Sequence, residues 1–113
     1  EELGHDNINF ELKDITEGVD VEDADLLLLD IPNPWEALDT ATKVLRRGGF
    51  IVAYTPYMPQ ATDFVNALKE REDMIIERQV NVSVDEWNFE GRKVRPRKNR
   101  IVHSGFLTLA RKL

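Results

Sequence analysis

The sequence contains no cysteine and only two histidines, His5 and His103, nearly a chain length apart. Without cysteine there are no disulfides and no thiolate metal sites, and two distant histidines do not make a zinc ligand set. The same lack agrees with an intracellular, cytoplasmic setting. No apolar run is long enough to cross a membrane, and no signal-peptide pattern opens the chain. Glycine is sparse: Gly4, Gly18, Gly48, Gly49, Gly91 and Gly105 never fall into G-x-G-x-x-G spacing. That motif turns a first strand into a phosphate-binding helix start, with an acid about twenty residues on. The Gly48-Gly49 pair follows a helical stretch, the wrong side of a helix for a phosphate cradle. The chain therefore either has a different function or is the second half of such a domain.

What is present fits one globular domain. The 113 residues suffice for a single core, and 42% of them are hydrophobic. The net charge of −6 would argue against nucleic acid if it were evenly spread. It is not: Arg92, Lys93, Arg95, Arg97, Lys98 and Arg100 fall in one short stretch without an acid. Local potential outweighs net charge in such a strip, although most charge runs are only solvated surface.

The chain is organised around Leu26-Leu27-Leu28-Leu29-Asp30-Ile31-Pro32-Asn33-Pro34-Trp35. The leucine run reads as a strand buried on both faces, the pattern of a parallel sheet. Pro32 and Pro34 stop it, since neither carries an N–H for the ladder. Asp30 thus stands where a strand ends and a loop opens, the edge at which open α/β sheets bind ligands. A ligand group and a helix cap are both consistent with that position.

Before this run, Ile8 to Leu12 alternates apolar and polar, which predicts a short strand. Asp14 just beyond it is either a ligand contact or a turn aspartate bonding its own backbone. After it, Trp35, Leu38, Ala41, Thr42 and Leu45 recur at helical spacing, with acids leading and bases trailing. Gly48-Gly49 is expected to cap this helix. Phe50 to Tyr54 is the next strand, and the whole reads as a βαβ unit with parallel strands. A second helix is expected over 63–71, then extended segments at Met74–Ile76 and Val80–Val84, the latter running on through Trp87 and Phe89. The basic stretch reads as a loop. Phe106 to Ala110 closes the sheet as an antiparallel neighbour of the strand before it.

At Asp30-Ile31-Pro32-Asn33-Pro34-Trp35 the chain resembles the fourth-strand motif of S-adenosylmethionine-dependent methyltransferases. Leu45-Arg46-Arg47-Gly48-Gly49 and the strand after it resemble the same class. Val52-Ala53-Tyr54-Thr55-Pro56, Arg95-Pro96 and His103-Ser104-Gly105-Phe106-Leu107 narrow it: they are similar to the tRNA (adenine-N1) methyltransferases that modify the T-loop at adenine-58, whose archaeal members also act on the neighbouring position. The resemblance covers nearly the whole chain. It implies an α/β fold that is the C-terminal half of a Rossmann-like sheet, with parallel strands and a final antiparallel strand. It also implies S-adenosylmethionine as cofactor, tRNA as substrate and a tetramer. The family's small N-terminal domain, its first two strands and its glycine loop are absent, so residues 1–113 are expected to form a single partial catalytic domain.

Carried over by motif, Asp30 matches the catalytic carboxylate, Tyr54 the active-site tyrosine, and Asp14 the acid that meets the cofactor's adenine; Asp30 also faces the cofactor. Substrate-side candidates are Tyr57, the arginines Arg92, Arg95, Arg97 and Arg100, and His103, which is equally placed to bond a backbone carbonyl or to lie at a subunit interface. Trp35 reads as packing. Two other functions remain open: an amino-group methyltransferase on DNA or protein, and a non-catalytic module for RNA contact or oligomerisation. A missing first strand would leave the Leu26 strand as an exposed apolar edge that invites pairing with another chain.

Overall fold

A computed structural model describes residues 6–96 and 105–113. Its main sheet has four strands: β1 (Ala24–Leu29), β2 (Leu45–Thr55), β3 (Met74–Val82) and β6 (Gly105–Lys112). Their order is β1-β2-β6-β3. β1 and β2 run parallel, and β6 runs antiparallel to both β2 and β3. The final strand is therefore the reversed one, wedged between two strands of common direction. A separate two-stranded hairpin comprises β4 (Trp87–Glu90) and β5 (Lys93–Pro96).

A 3-10 turn at Pro34–Ala37 leads into helix α1 (Leu38–Val44), and helix α2 (Met58–Lys69) links β2 to β3. Both helices lie on one face of the sheet. There Leu38, Ala41, Phe64 and Leu68 pack on Leu29, Ile51, Ala53 and Ala110, all buried. Strand alternation places Phe50, Val52 and Tyr54 on the opposite face with Leu107 and Leu109. Among the described residues no helix covers that face; Arg111 lies over the Phe50 ring there, 4.6 Å from its centroid.

The leucine run is a strand, but not one buried on both faces. Among the described residues β1 pairs only with β2 and forms the sheet edge. Leu29 is buried, while Leu26 and Leu28 are 50% and 68% exposed. The Leu26 strand therefore leaves apolar side chains exposed, as expected for it. The radius of gyration, 18.0 Å, exceeds the roughly 13 Å of a compact chain of this length.

Other expectations need correction. Ile8 to Leu12 forms no strand and is exposed; among the described residues no strand lies alongside to complete its ladder. α1 ends at Val44, before the glycines. A long side chain replaces the glycine cap: the Lys112 ammonium donates to the carbonyls of Thr42 and Leu45, satisfying acceptors that a helix end leaves open. Gly48 and Gly49 instead form an irregularity inside β2. Ala24 bridges Leu45, yet Leu26 already faces Phe50. Gly48 has φ +79°, and a Cβ on Gly49 would lie 3.0 Å from the Ala24 carbonyl oxygen, so the close approach of β1 needs a glycine there.

α2 begins at Met58, earlier than expected, with Pro59 in its first turn, where a missing N–H costs nothing. The segments at 74–76 and 80–84 are one strand, β3, irregular between Ile76 and Arg78. Trp87 and Phe89 leave that strand for the hairpin, and part of the basic stretch is β5 rather than loop. Gly91, at φ +58°, makes the tight turn with Arg92.

Candidate functional site

Because β1 and β2 are parallel, their C-terminal ends lie at one edge. Leu29 pairs with Ala53, so the next residue on each chain is Asp30 and Tyr54, on segments about 4.8 Å apart. Leu29 is held in the core, and the proline-rich loop carries the backbone away immediately afterwards. Asp30 is exposed, and its carboxylate makes no hydrogen bond or ion pair among the described residues. The helix-cap reading fails: Asn33, not Asp30, precedes the 3-10 turn at Pro34, and no side chain caps α1.

Asp14 approaches from the other side. It caps a 3-10 turn at Ile15–Glu17 and accepts at Oδ1 from the Thr16 N–H (2.9 Å) and hydroxyl (2.7 Å). These bonds, the Thr16 hydroxyl first and its backbone N–H second, hold the Asp14 carboxyl below its ordinary pKa. Oδ1 is thus engaged locally, as a turn aspartate's would be. Oδ2 accepts no hydrogen bond among the described residues. The Thr40 hydroxyl, from α1, donates to the Ile15 carbonyl at 2.8 Å and pins this turn to the helix layer.

Asp14 and Asp30 line one cavity of about 470 Å³, together with Lys13, Leu28, Ile31 and Glu36. Volume and lining suit a nucleoside-sized ligand, and three carboxylates against one ammonium favour a cationic group. The lining is chemically compatible with a sulfonium nucleoside. Among the described residues no three His, Cys, Asp or Glu side chains converge as a metal site, and no helix is long and apolar enough to cross a membrane.

Tyr54 and Tyr57 are not in the cavity wall. Tyr54 is half-buried, with its ring above Gly105: a Cβ there would lie 2.2 Å from Cε1 and 2.8 Å from the hydroxyl. Tyr57 is exposed at the start of α2. Arg92 and Arg95 are exposed on the hairpin, Arg92 in its turn and Arg95 paired with Asn88. Arg97, Arg100 and His103 lie outside the described residues.

The sequence reading missed three residues. Thr40 has no pattern that marks it. Gln60 on α2 donates to the Pro32 carbonyl at 3.0 Å, linking two segments 28 residues apart. Gly105 was visible as part of a motif, but its contact with Tyr54 was not.

Comparison with known proteins gives a consistent result. The family described as "tRNA methyltransferase complex GCD14 subunit" matches residues 1–94. A tRNA (adenine(57)-N(1)/adenine(58)-N(1))-methyltransferase from Methanocaldococcus jannaschii is 36% identical over 93% of this chain and 37% of its own length. A tRNA (adenine(58)-N(1))-methyltransferase from Thermus thermophilus is 32% identical over 95% of this chain and 42% of its own. The chain thus spans about two fifths of either relative. Among solved structures, a SAM-dependent O-methyltransferase from Thermotoga maritima superposes with a TM-score of 0.74 at 26% identity, covering 89% of this chain and 38% of that one. A tRNA (m1A58) methyltransferase from Aquifex aeolicus superposes at 0.68 and 18% identity, over 86% of this chain and 39% of that one, a likeness of fold. The sheet is thus of the Rossmann-like methyltransferase type.

Proposed function

The chain belongs to the GCD14 family of tRNA methyltransferase subunits, and on that premise we propose that it is the carboxylate-bearing part of an enzyme that methylates N1 of adenine in the tRNA T-loop. The observation that supports this most is the joining of Asp14 and Asp30 in one cavity at the C-terminal edge of parallel strands. S-adenosylmethionine, when bound, supplies a sulfonium methyl group. Asp14 and Asp30 are the residues here that would hold it.

Adenine N1 carries its own lone pair, so the reaction asks little of a general base. Two other demands remain. N1 is engaged in pairing, so the base must leave its stack. The methylated ring is cationic, so positive charge grows during the reaction. A fixed carboxylate beside the exocyclic amine orients the base and stabilises that charge. Asp30, which lines the cavity and has no side-chain partner among the described residues, fits this role. Tyr54, beside it in register, contacts the flipped base, with Tyr57 at the same edge.

Arg92 and Arg95 on the hairpin, with Arg97, Arg100 and His103 beyond it, meet tRNA phosphates, and that contact weakens as salt rises. The working enzyme is a cytoplasmic homotetramer. Residues 1–113 form one partial catalytic domain, completed by the rest of a longer protein.

The test is Asp30→Ala in the full-length enzyme. Methyl transfer falls on the order of a hundredfold or more, while tRNA binding by filter retention is unchanged. Wild-type turnover in that variant removes the proposal.

A further inference from the structure

We propose that Gln60 is a positioning residue for the Asp30 loop; this rests on the role given to Asp30 above. The loop from Asp30 to Pro34 contains two prolines, so it has few N–H groups with which to fix itself. Among the described residues, one side-chain hydrogen bond ties the Asp30–Asn33 segment to another element: Gln60 Nε2 to the Pro32 carbonyl, 3.0 Å. The donor lies in the first turn of α2, whose Phe64 and Leu68 are locked in the core. A rigid helix thus holds the backbone two residues beyond the carboxylate.

The rest of the amide shows what sets its orientation. Gln60 Oε1 is buried and has no hydrogen-bond partner among the described residues, an unfavourable arrangement for a buried acceptor. Turning the amide over would place that oxygen against the Pro32 carbonyl, two acceptors face to face. The bond to Pro32 decides the orientation, and the orphaned acceptor is its consequence. Gln60 does not line the cavity. It acts on the reaction only through the loop.

A displacement of about 1 Å at a reacting group can cost about a hundredfold in rate. The decisive variants, made in the full-length enzyme, are Gln60→Met, which keeps length and volume without the donor, and Gln60→Glu, which keeps the shape but puts a carboxylate in place of the amide donor. Both should lower kcat tenfold to a hundredfold, with KM for tRNA within about threefold of wild type. Amide hydrogen exchange at Glu36, whose N–H donates to the Asn33 carbonyl at 3.1 Å, should quicken several-fold in Gln60→Met, a readout that needs no turnover. Wild-type kcat in either variant, or unchanged exchange at that amide, overturns the assignment. An enzyme whose exchange responds but whose product is not 1-methyladenosine keeps Gln60 as the anchor of this loop and overturns the function instead.

Discussion

The ring of Tyr54 occupies the space that a side chain at position 105 would need, its Cε1 standing 2.2 Å from where a Cβ of Gly105 would lie. The two residues sit on neighbouring antiparallel strands, diagonal to one another across the pair Tyr54–Leu107. Two sequence elements more than fifty residues apart are therefore one structural unit, with the glycine as the seat of the tyrosine.

Gly105→Ala should expel the ring. The methyl group meets ring atoms rather than a flexible chain end, so the expected loss of stability is about 1–3 kcal/mol. Tyr54→Ala empties the same space, and the double variant should be more stable than the sum of the single effects implies, with a coupling of about 0.5–3 kcal/mol. Urea denaturation of the four proteins measures it; strict additivity would refute the contact.

Thr16→Val removes the hydroxyl bond to Asp14, the larger cause of that carboxyl's lowered pKa. The pKa should rise toward its ordinary value while staying somewhat below it, since the Thr16 N–H still donates. A carboxyl-carbon NMR titration of Asp14 in both proteins reads the change. An identical titration would show that the hydroxyl does not bond the carboxylate in solution.

Arg71 joins Asp73 and Asp39, donating from Nε to Asp73 at 2.9 Å and from Nη1 to Asp39 at 2.8 Å. The pairing raises the arginine's pKa and, chiefly through the Arg71 bond, lowers that of Asp73. A depressed carboxylate pKa stabilises the fold above the unfolded value, about 3.9, and that share is lost as pH falls through the lower folded value. Arg71→Met should thus cost on the order of 1 kcal/mol at pH 7, since the pair is partly exposed. The difference should shrink below about pH 4. Denaturation curves across that range decide it, and a difference that grows in acid would contradict the assignment.

The 113-residue chain by itself should self-associate through the edge of β1, where Leu26 and Leu28 face solvent beside backbone that pairs with no strand among the described residues. Leu28→Lys places a charge on that edge and should shift the sedimentation profile toward monomer. A wild-type chain that sediments as a monomer at tens of micromolar would count against an open edge.

The parts of this fold legible in the sequence were those set by local pattern. The leucine run and its proline stop, the amphipathic helix after Trp35 and the closing strand at Phe106 all appear where periodicity puts them. Boundaries that depend on distant partners did not follow from pattern. Nothing near Val44 shows that Lys112 will serve as its helix cap, so the glycines looked like the natural end. Ile8 to Leu12 has the alternation of a strand and lacks only a neighbour. Trp87 and Phe89 continue the alternation of Val80 to Val84, so the move to a second sheet left no trace. At the cavity, Asp14 and Asp30 stood out because a carboxylate at a strand end is chemically conspicuous; Tyr54 stood out for the same reason but lies outside the cavity wall. Thr40 and Gln60 are ordinary polar residues whose partners are backbone carbonyls, and a carbonyl has no letter in the sequence.

The position of β6 bears on how the molecule is made. It is synthesised after both strands it joins, and the sheet has no middle until it arrives. On the ribosome, β1, α1 and β2 can assemble early, but β3 must wait with its ladder unmet and the hairpin trailing behind it. Closure of the sheet then waits until Gly105–Lys112 has left the exit tunnel, and a nascent chain arrested before Gly105 would leave β2 and β3 without the strand they share.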